Sequence, residues 1–342
     1  MEKLKKRYYL LDNLKVILIF FVVFGHVIEY YINDNSILMT LYIFIYIFHM
    51  PLFIFISGYL SKNFYKMKRK AIRNLLIPYI IFNMIWYTAV YIGTRRAMFS
   101  VLYPGWTLWY LLSLFFWRIT LKYLIKFKHI LLLSFIAGVL VGLIPSIGSI
   151  LSISRTIVFL PFFLLGYYTT EEHLEKIKSF KSEYAITGIL VFLLIAIYIV
   201  KNDLFNYKFL YNSYSYNALE VSLFEGTIFR IFLYFGAIIF SICVINLVPR
   251  KEQFFSKIGK ATMNIYVFHI YLVMLVYFFI PKWNIGLLQN ILILISPFII
   301  IFILSRKKIN KVYDGLFYPV NISIDTGKKS IKKYKKINKK AH

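Results

Sequence analysis

Three histidines, His26, His49 and His269, stand inside long apolar runs of the chain. Ionisable groups are costly within a bilayer, so each one in such a run is a candidate for chemistry. His26 is the most informative. Lys15 precedes it by 11 residues, three helical turns plus about 20°, so the two share one helix face about 16 Å apart along the axis. A helix N-capped by Asp12 then puts Lys15 at one membrane boundary and His26 close to the midplane. Glu29, three residues further on, is placed to orient the imidazole. A cation at the mouth and a titratable base in mid-membrane suit the passage of a long anionic molecule. His49 falls at a similar depth on the next run, so the two histidines can face one cavity. An apolar setting favours neutral imidazole, the basic form. For each of the three, the competing reading is a packed histidine with one satisfied hydrogen bond. His129, His173 and His342 fall in loops or the tail.

The elements that must hold these residues are membrane helices. Of the 342 residues, 60% are hydrophobic, 20% aromatic and only 16% charged, whereas a soluble domain is about 45–50% apolar and about 25% charged. That excludes disordered, fibrous and ordinary soluble enzymes and leaves an all-α polytopic membrane protein. With about 20 apolar residues needed per crossing, ten spans are expected at 14–31, 37–60, 75–92, 106–124, 130–147, 156–168, 184–200, 227–248, 263–280 and 285–304. The sixth is the weakest, being short and holding Pro161.

A formal charge of +27 would suggest nucleic acid in a soluble chain. Here no basic-aromatic face or zinc-finger spacing supports a nucleic-acid partner, and the charge reads as topology. Alternate junctions carry Lys62 to Arg73, Arg118 to Lys128, Lys176 to Lys181 and Arg250 to Lys260, while the others carry only Arg95, Arg96, Arg155, Lys201, Lys208 and Lys282. This asymmetry places both termini in the cytoplasm. Residues 1–304 form the membrane domain and 305–342 a basic cytoplasmic tail, read either as solvated or as binding anionic membrane lipids. The single Cys243 excludes an internal disulfide and a Cys-based metal site. No small-residue cleavage site follows the basic start, so no cleaved signal is expected.

In order along the chain come Leu11-Asp12-Asn13-Leu14-Lys15 leading to Gly25-His26, then Phe48-His49-Met50-Pro51-Leu52-Phe53, Ser57-Gly58-Tyr59-Leu60 and Arg73-Asn74-Leu75-Leu76-Ile77-Pro78. Trp106 and Trp109-Tyr110-Leu111, then Arg155 to Gly166-Tyr167, and finally Met263-Asn264-Ile265-Tyr266-Val267-Phe268-His269 follow. Each match is weak alone, but the ordered series resembles the multispanning membrane acyltransferases of acyltransferase family three, most closely the fucose 4-O-acetylase-like branch. Lys15 stands where that family more often has arginine. A point charge then replaces a planar fork, and pairing with phosphate survives.

The resemblance implies transfer of an acyl group, usually acetyl, from acetyl-CoA to a carbohydrate hydroxyl of the envelope, with no metal. Lys15, Arg73 and Lys70 would hold the phosphates of the acyl-CoA while its arm reaches toward His26. A sugar hydroxyl is a weak nucleophile and needs a base. His26 would supply it, with Glu29 fixing the tautomer and His49 in the same cavity; an acyl-histidine relay is the alternative. Acceptor contacts would come from Trp106, Trp109, Arg155 and Tyr211. The loop 206–217, rich in Tyr, Asn and Ser, suits sugar binding or is simply an interfacial aromatic belt. Arg155 would pair with an acceptor phosphate or with Glu225. The chain ends soon after the core, which implies direct delivery to a glycan or lipid-linked sugar in a bacterial plasma membrane. A proton-coupled transporter or flippase of a lipid-linked glycan is the alternative function, although no internal repeat or matched pair of broken helices points to it.

Overall fold

The computed structural model describes residues 8–96, 99–145, 150–280 and 286–317. Lys282, the tail lysines from Lys328 onward and the basic start up to Arg7 lie outside the described residues. Within them the regular secondary structure is all helical, with no strand. The helices are α1 (Tyr9–Glu29), α2 (Ser36–Tyr59), α3 (Phe64–Ala71), α4 (Ile77–Thr94), α5 (Trp109–Leu124), α6 (Ile130–Leu140), α7 (Ile153–Tyr168), α8 (Glu171–Ser179), α9 (Ser182–Lys201), α10 (Leu223–Leu247), α11 (Thr262–Phe279) and α12 (Leu287–Leu304).

All ten expected segments hold a helix, but among the described residues only eight stretches are long and apolar enough to cross a membrane. The sixth expected span is one of those eight: it begins earlier than its hydropathy suggests and runs through Pro161 to Tyr168. Shortness falls instead on the fourth and fifth. α5 holds Arg118 and Lys122 within its 16 residues, and α6 tightens into a 3-10 turn at Val141–Leu143.

Two local expectations are corrected. Asp12 does not cap α1, which starts a turn earlier at Tyr9; Asp12 lies in the first turn and pairs with Lys15 at 2.7 Å. The second junction is not a loop either, because α3 runs through a π turn at Ile72–Leu76 into α4. Pro78, near the start of α4, has no N–H to give the Asn74 carbonyl four residues back, and such a defect is where a helix accepts a wider turn.

α2 is central and packs on α1, α7, α9 and α10. Its crossing with α7 depends on two glycines. A Cβ on Gly58 would lie 1.9 Å from the Phe163 carbonyl oxygen, and one on Gly166 would lie 1.9 Å from that of Phe55. Small residues permit such backbone contact between membrane helices, where dispersion rather than water expulsion drives packing. At the base of α1, fully buried Asn13 donates to the Pro249 and Lys251 carbonyls at 2.9 and 3.0 Å and accepts from Ser256. This ties α1 to the 249–260 segment before α11. After α12, residues 307–317 form another helical turn sequence whose Phe317 is buried beside Phe82.

Candidate active site

His26 and Glu29 sit on the last turn of α1. Their three-residue spacing puts both on one face, and the His26 Nδ1 lies 3.0 Å from Glu29 Oε2. The other carboxylate oxygen accepts a hydrogen bond from the Tyr211 hydroxyl at 2.8 Å, and Tyr211 in turn accepts from Tyr42 at 3.0 Å. A carboxylate has no proton to give, so Nδ1 is the donor in this contact and Nε2 is the ring nitrogen it leaves uncommitted.

Around this dyad lies a cavity of about 320 Å³. It is lined by His26, Glu29, His49, Trp106, Trp109, Arg155 and Tyr211, all seven residues expected to meet the reacting and accepting groups. α2 supplies Tyr46 and His49, and the His49 Nδ1 donates to the Ile45 carbonyl at 2.8 Å. The Trp106 ring stands edge-on to His26, 5.7 Å between centroids. Its position follows from α4. Asn83 holds the Ser100 carbonyl and the Gly105 N–H at 2.8 and 2.7 Å, and a Cβ at Gly105 would strike the Trp86 ring. Only glycine lets this strap pass Trp86 and bring Trp106 inward.

Arg155, at the start of α7, does not pair with Glu225, which instead closes a capping box with Ser222. Its Nε donates to the Tyr211 carbonyl at 2.9 Å, its Nη2 to Ser213 at 3.3 Å, and its guanidinium lies over Trp109. Ser154 adds a bond to the Asn212 carbonyl at 2.9 Å. The loop 206–217 is therefore fastened to α7 and folds over the cavity, where Tyr211, Ser213 and Tyr214 line it. Tyr207 lies outside this lining and packs edge-on against Tyr42 and Tyr211.

A second cavity, of about 280 Å³, opens among the basic junctions. Lys15, Arg118 and Lys260 bring three cations to it, and Asn74 and Leu75 of the π turn also line it. Lys70 and Arg73 do not: both are exposed on the outer side of the same helical stretch. Arg118 and Lys260 were legible only as topology-setting charges, since nothing in their spacing links them to Lys15.

Tyr266 lines both cavities. Its hydroxyl donates to the Thr107 carbonyl, and its ring stands edge-on to Tyr110 at 5.3 Å. Three residues later, His269 is fully buried, with its ring 5.4 Å from that of His26. Its Nδ1 donates to the Tyr266 carbonyl at 2.7 Å, while its Nε2 has no hydrogen-bond partner. No group of three or more metal-ligating side chains occurs among the described residues.

The arrangement is an imidazole held by a carboxylate in a walled cavity, one tyrosine away from a cationic one. A family model described as an acyltransferase domain matches residues 8–306 of this chain. No curated protein and no solved structure matches it.

Proposed function

The chain belongs to this acyltransferase family, and from that premise we propose that it is an O-acetyltransferase moving acetyl from acetyl-CoA to a sugar hydroxyl of the cell envelope. The observation that carries this reading is the His26–Glu29–Tyr211 chain of hydrogen bonds in a cavity separated by Tyr266 from the cationic one. A family of acyltransferases needs a donor site and a base for the acceptor, and these two cavities have the matching character.

Coenzyme A is polyanionic, and Lys15, Arg118 and Lys260 offer it charge at the basic face. Its acyl-bearing arm then reaches past Tyr266 toward His26. Glu29 holds the imidazole so that Nε2 takes the proton of the acceptor hydroxyl as oxygen attacks the thioester carbonyl. The C–O bond forms, the C–S bond breaks, and the proton passes from Nε2 to the departing sulfur. Trp106 and Tyr214 give a sugar aromatic surface, and the polar atoms of Ser213 and of Arg155, which lies over Trp109, stand beside them. The charge asymmetry supports a plasma-membrane orientation with donor cavity and both termini cytoplasmic, and the basic tail then meets anionic lipid. The ordered motifs favour the fucose 4-O-acetylase-like branch within the family.

The test is turnover of radiolabelled acetyl-CoA by purified protein in lipid nanodiscs with envelope glycan extract. Thiol release and labelled glycan are expected from wild type, with both lost in His26→Ala. Full transfer by a folded His26→Ala protein overturns the assignment of the base.

A further inference from the structure

Arg230 of α10 is 2% exposed, and its Nε and Nη1 have no hydrogen-bond partner. Among the described residues no carboxylate pairs with it. Its guanidinium lies 4.7 Å from the Phe209 ring centroid and 5.9 Å from that of Tyr216, contacts that offset only part of the cost of a buried cation without a carboxylate. An intramembrane charge left in this condition marks a place where an anion belongs.

Its surroundings say which anion. Arg230 borders a void of about 30 Å³, room for one or two oxygen atoms. On one side, Tyr46, Phe159 and Leu210 line both this void and the cavity that holds His26. On the other side, Ile47 and Leu233 line both the void and a groove of about 430 Å³ between α9 and α10. That groove is walled by Phe192, Phe205, Phe229, Phe232 and Phe235, and opens where Phe232 and Phe235 are 70% and 62% exposed. Polar cavity, buried cation and apolar groove therefore adjoin in that order, each divided from the next by these shared side chains.

We propose that the acceptor is a lipid-linked sugar phosphate, with its sugar beside His26, its two non-bridging phosphate oxygens in the void on Arg230 and its hydrocarbon tail in the α9–α10 groove. A fatty acid has its charge at the far end of the tail, and a free polysaccharide has no tail. Only a lipid whose charge lies between tail and hydroxyl-bearing head matches the order of the three compartments. Two open nitrogens of one guanidinium suit the several acceptor oxygens of a phosphate. The inference rests on the acyl-transfer reading only in calling this lipid the acceptor.

Its test is binding without turnover, by equilibrium dialysis of a radiolabelled long-chain polyprenyl phosphate against the full chain in detergent micelles. The uncharged polyprenyl alcohol, phosphatidylglycerol and inorganic phosphate serve as competitors. Wild type is expected to hold the phosphate lipid about tenfold or more tighter than the alcohol, a preference removed in Arg230→Met and partly kept in Arg230→Lys. Gly236→Leu fills the groove, since a Cβ there meets only Phe192 at 3.5 Å, and is expected to weaken both polyprenyl ligands about tenfold. Equal affinity of wild type for phosphate and alcohol overturns the proposal. So does displacement by inorganic phosphate, which marks a small-anion site, or by phosphatidylglycerol at equal strength, which marks a seam for bulk lipid. Binding as expected with no acetyl transfer overturns the acyl-transfer reading and leaves the lipid site standing.

Discussion

Glu29 receives His26 on one oxygen and Tyr211 on the other, so it is the residue through which the loop 206–217 sets the imidazole. Glu29→Gln replaces a charge-assisted hydrogen bond worth about 1.5–3 kcal/mol, and the expected loss in kcat is roughly 10- to 100-fold. Tyr211→Phe removes a neutral donor to Glu29, leaves the Tyr42 hydroxyl without its acceptor, and is expected to cost less in kcat than Glu29→Gln. Both are read by acetyl transfer at saturating donor, with KM for acetyl-CoA unmoved, because neither residue lines the cationic cavity. A change in donor KM as large as that in kcat would remove the positioning role. His26 and Glu29 were legible in the sequence because a three-residue spacing is itself a helical contact. Tyr211 was legible as a cavity aromatic but not as the partner of Glu29, since 182 residues separate them and nothing local encodes that meeting. Tyr266 and Arg230 escaped for another reason. Within an apolar span, an aromatic reads the same whether it divides two cavities or merely fills space, and Arg230, although an ionisable group inside the 227–248 span, has no residue spaced along its own helix that says what it faces.

Among the elements, the α2–α7 crossing is the most exacting contact. Gly58→Ala places its Cβ against the Phe163 carbonyl, a backbone atom that cannot rotate aside. Overpacking of a tight site costs about 1–3 kcal/mol, so thermal unfolding in detergent is expected several degrees below wild type, with Gly166→Ala behaving likewise. Gly93 in α4 is the internal control: nothing lies within 4 Å of its Cβ position, and Ala there is expected to be neutral or stabilising by about 0.5–1 kcal/mol through helix propensity. Equal destabilisation at all three positions would show that the crossing is not special. Each of the ten segments that hydropathy marks holds a helix, because a bilayer demands long apolar runs, though among the described residues only eight are long and apolar enough to cross. Hydropathy failed where polar chemistry interrupts such runs. The cations of α5 shorten its apolar stretch, and the lysine-rich second junction hides α3, whose helix is built from charged residues that hydropathy reads as loop.

At the scale of the whole molecule, two cavities approach from opposite ends of the bundle and share a single side chain, Tyr266. If the ring divides donor from acceptor, Tyr266→Ala joins the compartments and admits water to the thioester. The expected outcome is a higher ratio of CoA released to acetyl transferred, seen as thiol release without glycan, in protein that folds normally. A fall in both, in constant proportion, would make Tyr266 a packing residue alone. One residue of each cavity was legible in the sequence, since Lys15 and His26 share a face of one helix. The sequence did not show the wall between them, which depends on α5 and α11 meeting α1 and α2 in three dimensions.

The π turn at Ile72–Leu76 amounts to one residue more than a regular helix would use over that span. An α-helix advances about 100° per residue, so the extra residue turns all of α3 by about that angle relative to α4. Asn74 and Leu75 are thereby presented to the cationic cavity while the lysines of α3 project elsewhere. Removing one residue from this stretch would leave composition, hydropathy and helix count almost untouched. It would nonetheless swing the charged segment round the bundle like a key cut one notch out of phase.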